Sequence, residues 1–211
     1  MLPLFPLQLV VYPKEELALH IFEDRYKQLI FDCNDKGIHF GIPTFLNKRL
    51  DYGTEVYLDK VVKEYPDGKC DIICKGIRVF QIVDFHHQYP NKGYAGAEVN
   101  FFEDDLVTDL DLQEELLNYI AKLYVELAIE KPPIFKRPVL SYQVAHKIGL
   151  SFEQEYHLLK IRNEKERLAY LIGHLKGTIP VVKEMNRAKK VIQMNGHFKN
   201  LDPLDLKDFK I

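Results

Sequence analysis

Near residue 105 the chain changes its pattern. Before that point, short β-rich runs alternate with Gly, Pro and Asn turn signals; after it, apolar residues recur at helical spacing. Strands followed by helices, without strand–helix alternation, predict an α+β protein rather than a doubly wound sheet. A chain of 211 residues can bury a sizeable core as one large domain or two small ones. We expect a β subdomain over 1–105, a helical subdomain over 106–198 and a loose tail over 199–211.

In the first half, Leu17-Ala18-Leu19-His20-Ile21 reads as a strand running into a helix from Glu23 to Asp35. Tyr26, Leu29, Ile30 and Cys33 share one face of that helix, and Gly37 caps its end. β structure resumes at His39-Phe40-Gly41-Ile42. Glu55 to Tyr65 and Cys70 to Phe85 form a hairpin across Pro66-Asp67-Gly68, where Pro sets φ and Gly accepts a positive φ. A further strand covers Tyr94 to Phe102. Several strands, one short helix and scattered glycines fit a small, strongly bent sheet or open barrel.

The second half opens on acidic residues, with Asp111 expected to cap a helix that Pro132-Pro133 stops. Ser141 is expected to open a second helix ended by Gly149, Ser151 with Gln154 to form a capping box for a third, and Asn163 to cap a fourth. Gly177 and Pro180 are expected to break that fourth helix. A separate last helix then runs from Val181 to Met194, with Lys183, Arg187, Lys189 and Lys190 as a basic face that reads foremost as a solvated surface.

The chemistry-bearing motifs are few. There is no phosphate loop, no dinucleotide-binding glycine pattern and no nucleophile elbow, and the two serines, Ser141 and Ser151, read as caps. Adjacent strand residues such as His86-His87 point to opposite faces, and His146, His157 and His174 fall on different helices, so no metal site is expected. Cys70 and Cys74 on one strand would lie about 13 Å apart, at about 3.3 Å per residue, too far for a disulfide; packed, reduced thiols of a cytosolic protein are the expectation. The formal net charge is −2, which recommends no nucleic-acid partner. The opening residues lack a secretory signal pattern, and no apolar run approaches the roughly 20 residues of a membrane span. The expected location is the cytoplasm.

Leu2-Pro3-Leu4-Phe5-Pro6-Leu7, then Tyr12-Pro13, then Leu17-x-Leu19-His20-Ile21-Phe22-Glu23-x-Arg25-Tyr26 resembles the opening of the Lon N-terminal (LON) domain family, especially its stand-alone bacterial members. Phe40-Gly41-Ile42, Gly53-Thr54, Asp67-Gly68-Lys69-Cys70-Asp71 and Gly76-x-Arg78-Val79-Phe80 continue the pattern, as do Ser141 to Leu150, Leu158-Leu159 and Glu166-Arg167-Leu168. Pro43-Thr44-Phe45 stands where the family more commonly has a further apolar strand. The resemblance implies a PUA-like β pseudobarrel followed by a C-terminal helical bundle, and a non-catalytic role in selecting protein substrates. The ATPase and Ser-Lys protease domains of Lon are expected to be absent, and no cofactor is implied.

Ile21, Phe22 and Tyr26 are expected to fix the short helix on the sheet, and Glu23, Arg25 and Arg78, near His20 and Phe80, to form a charge-assisted network serving structure or recognition. The expected partners are unfolded or partly folded protein segments, with room for a separate ATPase or protease. The alternatives are an RNA-binding PUA-like protein, for which the basic last helix is the only support, and a small-molecule-binding regulatory domain.

Overall fold

The computed structural model describes residues 1–103, 105, 107 and 109–199, with side chains described as far as residue 194. Six strands, β1 (Leu2–Leu4), β2 (Glu16–Ile21), β3 (Phe40–Pro43), β4 (Tyr52–Glu64), β5 (Cys70–His86) and β6 (Ala95–Phe101), form one mixed sheet in the order β2-β5-β4-β3-β1-β6. β6 also pairs with β5, so the pairings run from β5 through β4, β3, β1 and β6 and back to β5. The helices are α1 (Asp24–Lys36), α2 (Leu110–Glu126), α3 (Ser141–Val144) with a 3₁₀ turn over Ala145–Lys147, α4 (Phe152–Lys160) and α5 (Glu164–Lys199). The protein is α+β.

Local signals place most of these elements. Gly68 takes φ 79° in the β4–β5 turn and Gly37 takes φ 63° after α1, values that L side chains resist. Ser151 and Gln154 make a capping box. Asn163 Oδ1 accepts from the Lys165 and Glu166 N–H groups at the start of α5. Gly76 is required by close approach: a Cβ there would collide with the Tyr12 carbonyl oxygen.

Several expectations need correction. The cap of α2 is Asp109, which accepts from the Asp111 and Leu112 N–H groups, not Asp111. α2 ends before the proline pair, in a closure where Ile129 N–H reaches Tyr124 C=O (3.0 Å) with Ala128 at φ 53°. Ser141 caps nothing; it lies inside α3 and bonds to α5. Gly177 and Pro180 do not break the fourth helix: α5 runs through both. Pro180 removes the N–H that would bond the Lys176 carbonyl. Ile179 and Val182 pack on the helical core, and Asn186 Nδ2 donates to the Glu126 carbonyl at 2.6 Å. These contacts offset the loss.

Two hydrophobic clusters dominate. One lies between α1 and the sheet and includes Ile21, Leu29, Phe40, Val56 and Ile72, with Cys33, Cys70 and Cys74 as buried free thiols. Burial pushes Cys33 and Cys74 up to about 12, so neither is a ready thiolate. The other joins Val10, Tyr12 and Val79 to Leu116, Ile120, Leu158, Leu168 and Leu171, so the helices pack on the sheet through the segment ahead of β2. The expected tail lies outside the described residues from 200 onward.

Candidate functional site

Between the sheet and the helices lies a groove of about 670 Å3. Its sheet side is formed by Pro13, Lys14 and Glu15, ahead of β2, and by Lys75 on β5; its other side is formed by Ile134, Phe135, Lys136 and Leu140 from the α2–α3 connection and by Tyr142, Gln143, His146 and Lys147 from α3 and the 3₁₀ turn. Ile134 is 98% exposed. Beside the half-buried Phe135 it gives the groove an apolar lip open to water.

The floor is held by polar bonds. The Tyr12 O–H donates to the Glu155 carbonyl (3.0 Å), its N–H donates to Glu15 Oε2 (2.8 Å), and its ring stacks on Tyr142 at 4.8 Å. His146 joins the halves, with Nδ1 2.7 Å from Glu155 and Nε2 3.3 Å from Glu15. Burial alone would lower its pKa, but the bonds to Glu15 and Glu155 outweigh that and push it up to about 9. His146 therefore stays charged at neutral pH and ties the two sides together.

That gives a prediction. A histidine whose folded pKa exceeds its unfolded value stabilises fully below about 6.5, and the effect disappears as pH rises through about 9. The gap in Tm between wild type and His146→Gln should be open at pH 6 and close by pH 10. A gap independent of pH over that range would mean that the imidazolium contributes nothing to the junction.

The residues expected to form one network are divided among three places. His20 on β2 lies 2.7 Å from Asp71, with Phe22 (58% exposed) near its ring. Glu23 pairs with Arg25 at 2.6 Å on the surface, and the Arg25 guanidinium covers the Tyr26 ring, which is buried against Phe5. Arg78 does not meet Glu23. It pairs with Glu55 on β4 at 2.6 Å and stacks over Phe101 at 3.8 Å. Phe80 is buried with Leu2, Leu4 and Ala97. Neighbouring strands, rather than chain proximity to a motif, chose the partner of Arg78: Glu55 and Arg78 face each other in the β4–β5 register. Lys183, Arg187, Lys189 and Lys190 are exposed on α5, with Arg187 2.7 Å from Glu184.

A second cleft, of about 420 Å3, lies beside β1 and β6, with His39, Glu55 and Phe101 in its wall. Among the described residues no group of His, Cys, Asp or Glu side chains is arranged to hold a metal ion, and no helix is long and apolar enough to cross a membrane.

The family model for the substrate-binding domain of ATP-dependent protease La (LON) matches residues 1–177. The chain belongs to the LON substrate-binding domain family. The fold agrees with LON domains of known structure. A Lon N-terminal domain protein from Xanthomonas campestris superposes with a TM-score of 0.64 at 28% identity, covering 82% of this chain and 96% of that one. The N-terminal domain of a Mycobacterium avium complex Lon protease gives 0.61 at 18% identity, covering 83% and 97%, a likeness of fold alone. The LON match ends inside α5, so the final turns of that helix and its basic face lie beyond it. The opening motif carries the family in the sequence, but the residues that line the groove are not legible there. The groove's apolar wall comes from an irregular connection whose only signal is Ile134-Phe135 after two prolines.

Proposed function

We propose that this LON domain recognises exposed apolar segments of unfolded or partly folded proteins, holding them in the groove between sheet and helices. The single observation that carries the reading is that groove: an apolar wall of Ile134, Phe135, Leu140 and Tyr142 facing the segment ahead of β2, in a member of a substrate-binding family. In this reading the chain is a PUA-like pseudobarrel over 1–105 followed by a helical bundle over 106–198; the ring of strand pairings that returns to β5 supports the first part. It acts as a non-catalytic module in the cytoplasm, and a separate ATPase or protease would act on what it holds. The dispersed residues around Glu23 and Arg78 serve the fold.

Apolar burial is insensitive to salt, whereas phosphate-driven binding falls with ionic strength at a log–log slope of about −0.7 per phosphate contact on a single strand. We expect a labelled unfolded protein fragment to bind with an affinity that holds from low to moderate salt. Phe135→Asp should weaken it at least tenfold, and charge reversal at Lys189 and Lys190 should leave it intact. Tight, salt-sensitive binding of an RNA oligomer that depends on those lysines, with no binding of the fragment, would establish the RNA-binding alternative instead.

A further inference from the structure

Among the described residues β2 pairs with β5 alone, and no strand of them lies along its other edge. The direction of its backbone groups follows from the residue just ahead. Gly76 N–H donates to the Glu15 carbonyl at 2.9 Å, so Glu15 turns its carbonyl toward β5. Backbone groups alternate sides along a strand. Leu17, Leu19 and Ile21 therefore bond to β5, while Glu16, Ala18 and His20 turn N–H and C=O to the open side. All three are exposed, and no backbone bond from a turn or loop among the described residues reaches them.

A second open edge provides the contrast. β3 leaves β4 at the Phe40–Val56 pair, so β4 is unpaired on that side from Tyr57 onward. There the register shifts between Leu58 and Lys60 and again between Val61 and Lys63, and Asp59, Lys60, Lys63 and Glu64 are exposed. Bulges and lysines are the devices that prevent strand addition. β2 has no bulge, lysine or proline over its six paired residues. On its inner face Leu17 and Leu19 pack against the sheet–α1 core yet stay half-covered where the sheet stops. The groove ends at Glu15, one residue before β2, and Lys75, which lines it, is the register partner of Glu16.

We propose that β2 is a docking edge that takes an extended client segment as an added strand, with apolar residues at alternate positions covering Leu17 and Leu19 and the segment continuing into the groove. Backbone bonds then supply affinity without demanding a sequence, and the alternation supplies the preference for apolar segments. The inference rests on the protein-recognition reading above, and the experiment separates the two.

Ala18→Pro removes an outward N–H and leaves the ladder to β5 unchanged; Ala18→Lys keeps the backbone and adds the guard that β4 carries. Both should fold, with Tm within a few degrees of wild type, and both should bind the labelled unfolded fragment at least tenfold more weakly. In parallel, an alternating-apolar peptide should lose at least tenfold in affinity for the wild-type protein when N-methylated on the amides of one edge, a readout independent of how the variants fold. Undiminished binding by both variants and by the methylated peptide would overturn the docking edge and leave the groove reading standing. No binding of the fragment by wild type would remove both. A dimer in sedimentation that Ala18→Pro dissociates would assign the edge to a second copy and overturn the client assignment.

Discussion

Arg167→Ala is expected to cost about 3–5 kcal/mol, the range for breaking a buried ion pair by removing one partner. Arg167 is 1% exposed and Glu164 is fully buried. The guanidinium donates to Glu164 Oε2 (2.8 Å), to Ser141 Oγ (3.0 Å) and to the carbonyls of Ile161 and Arg162 (2.9 and 3.0 Å), and it lies over the Tyr142 ring. Glu164 in turn accepts from Ser141 N–H at 2.7 Å and from its hydroxyl at 2.8 Å. One arginine thus closes the turn between α4 and α5 and fastens α3 to α5. Its loss leaves a carboxylate in the core with, among the described residues, only Ser141 to solvate it, and takes from the Ile161 and Arg162 carbonyls the donors it supplied.

At about 2–4 °C per kcal/mol for a protein of this size, Tm should fall by roughly 6–20 °C. Glu164→Leu combined with Arg167→Met should recover part of that, because removing both charges ends the desolvation cost. The recovery stays partial, since the Ile161 and Arg162 carbonyls still lack the donors that Arg167 supplied. A single variant that melts within two or three degrees of wild type would show that Arg167 is solvated and the junction held by apolar packing alone. Because Tyr142 also lines the groove, Arg167→Ala should weaken fragment binding as well.

Asp32→Ala is the second large effect, expected at about 2–4 kcal/mol for a buried charge-assisted network. Asp32 is 3% exposed although it sits on a helix. It accepts from Lys92 Nζ (2.6 Å to Oδ2), from the Tyr94 hydroxyl (2.8 Å) and from Lys36 Nζ (3.3 Å). Nearby, Gln28 Oε1 accepts from Gly93 N–H at 2.8 Å. Together these clamp α1 to the turn ahead of β6. Without the carboxylate the buried Tyr94 hydroxyl loses the acceptor it has here, while Lys92 and Lys36 can turn to water.

Burial acts to raise the Asp32 pKa, but the bonds from Lys92, Tyr94 and Lys36 outweigh it and hold the carboxyl below its ordinary value. The stabilisation is therefore complete above the unfolded value near 3.9 and is lost as pH falls through the lower folded value. Asp32→Asn should melt well below wild type at pH 7, and the two should converge under strong acid. A constant gap down to pH 2 would exclude the charge as the source.

The hairpin, the helix after β2, the capping roles of Gly37, Ser151 and Asn163 and the membership in the LON family were legible in the chain. Each of these depends on residues a few positions apart: Gly68 in its turn, Ser151 with Gln154, Tyr26 with Leu29, Ile30 and Cys33 along one helix face. Partners distant in sequence were not legible. Nothing local distinguishes Glu55 from Glu23 as the mate of Arg78; the β4–β5 register decided it. Pro180 and Gly177 signal a break, and packing of α5 on α2 overrode them. Asp32 and Glu164 look like ordinary helix-surface acids until tertiary burial encloses them with Lys92, Tyr94, Ser141 and Arg167. Sequence by itself determined most of the strands, turns and helix starts, because periodicity and turn chemistry act over a few residues; the tertiary structure decided that α5 continues through its breakers, which polar groups are buried together, which strand edge stays open and where a groove is left, because those follow from how whole elements exclude water from one another.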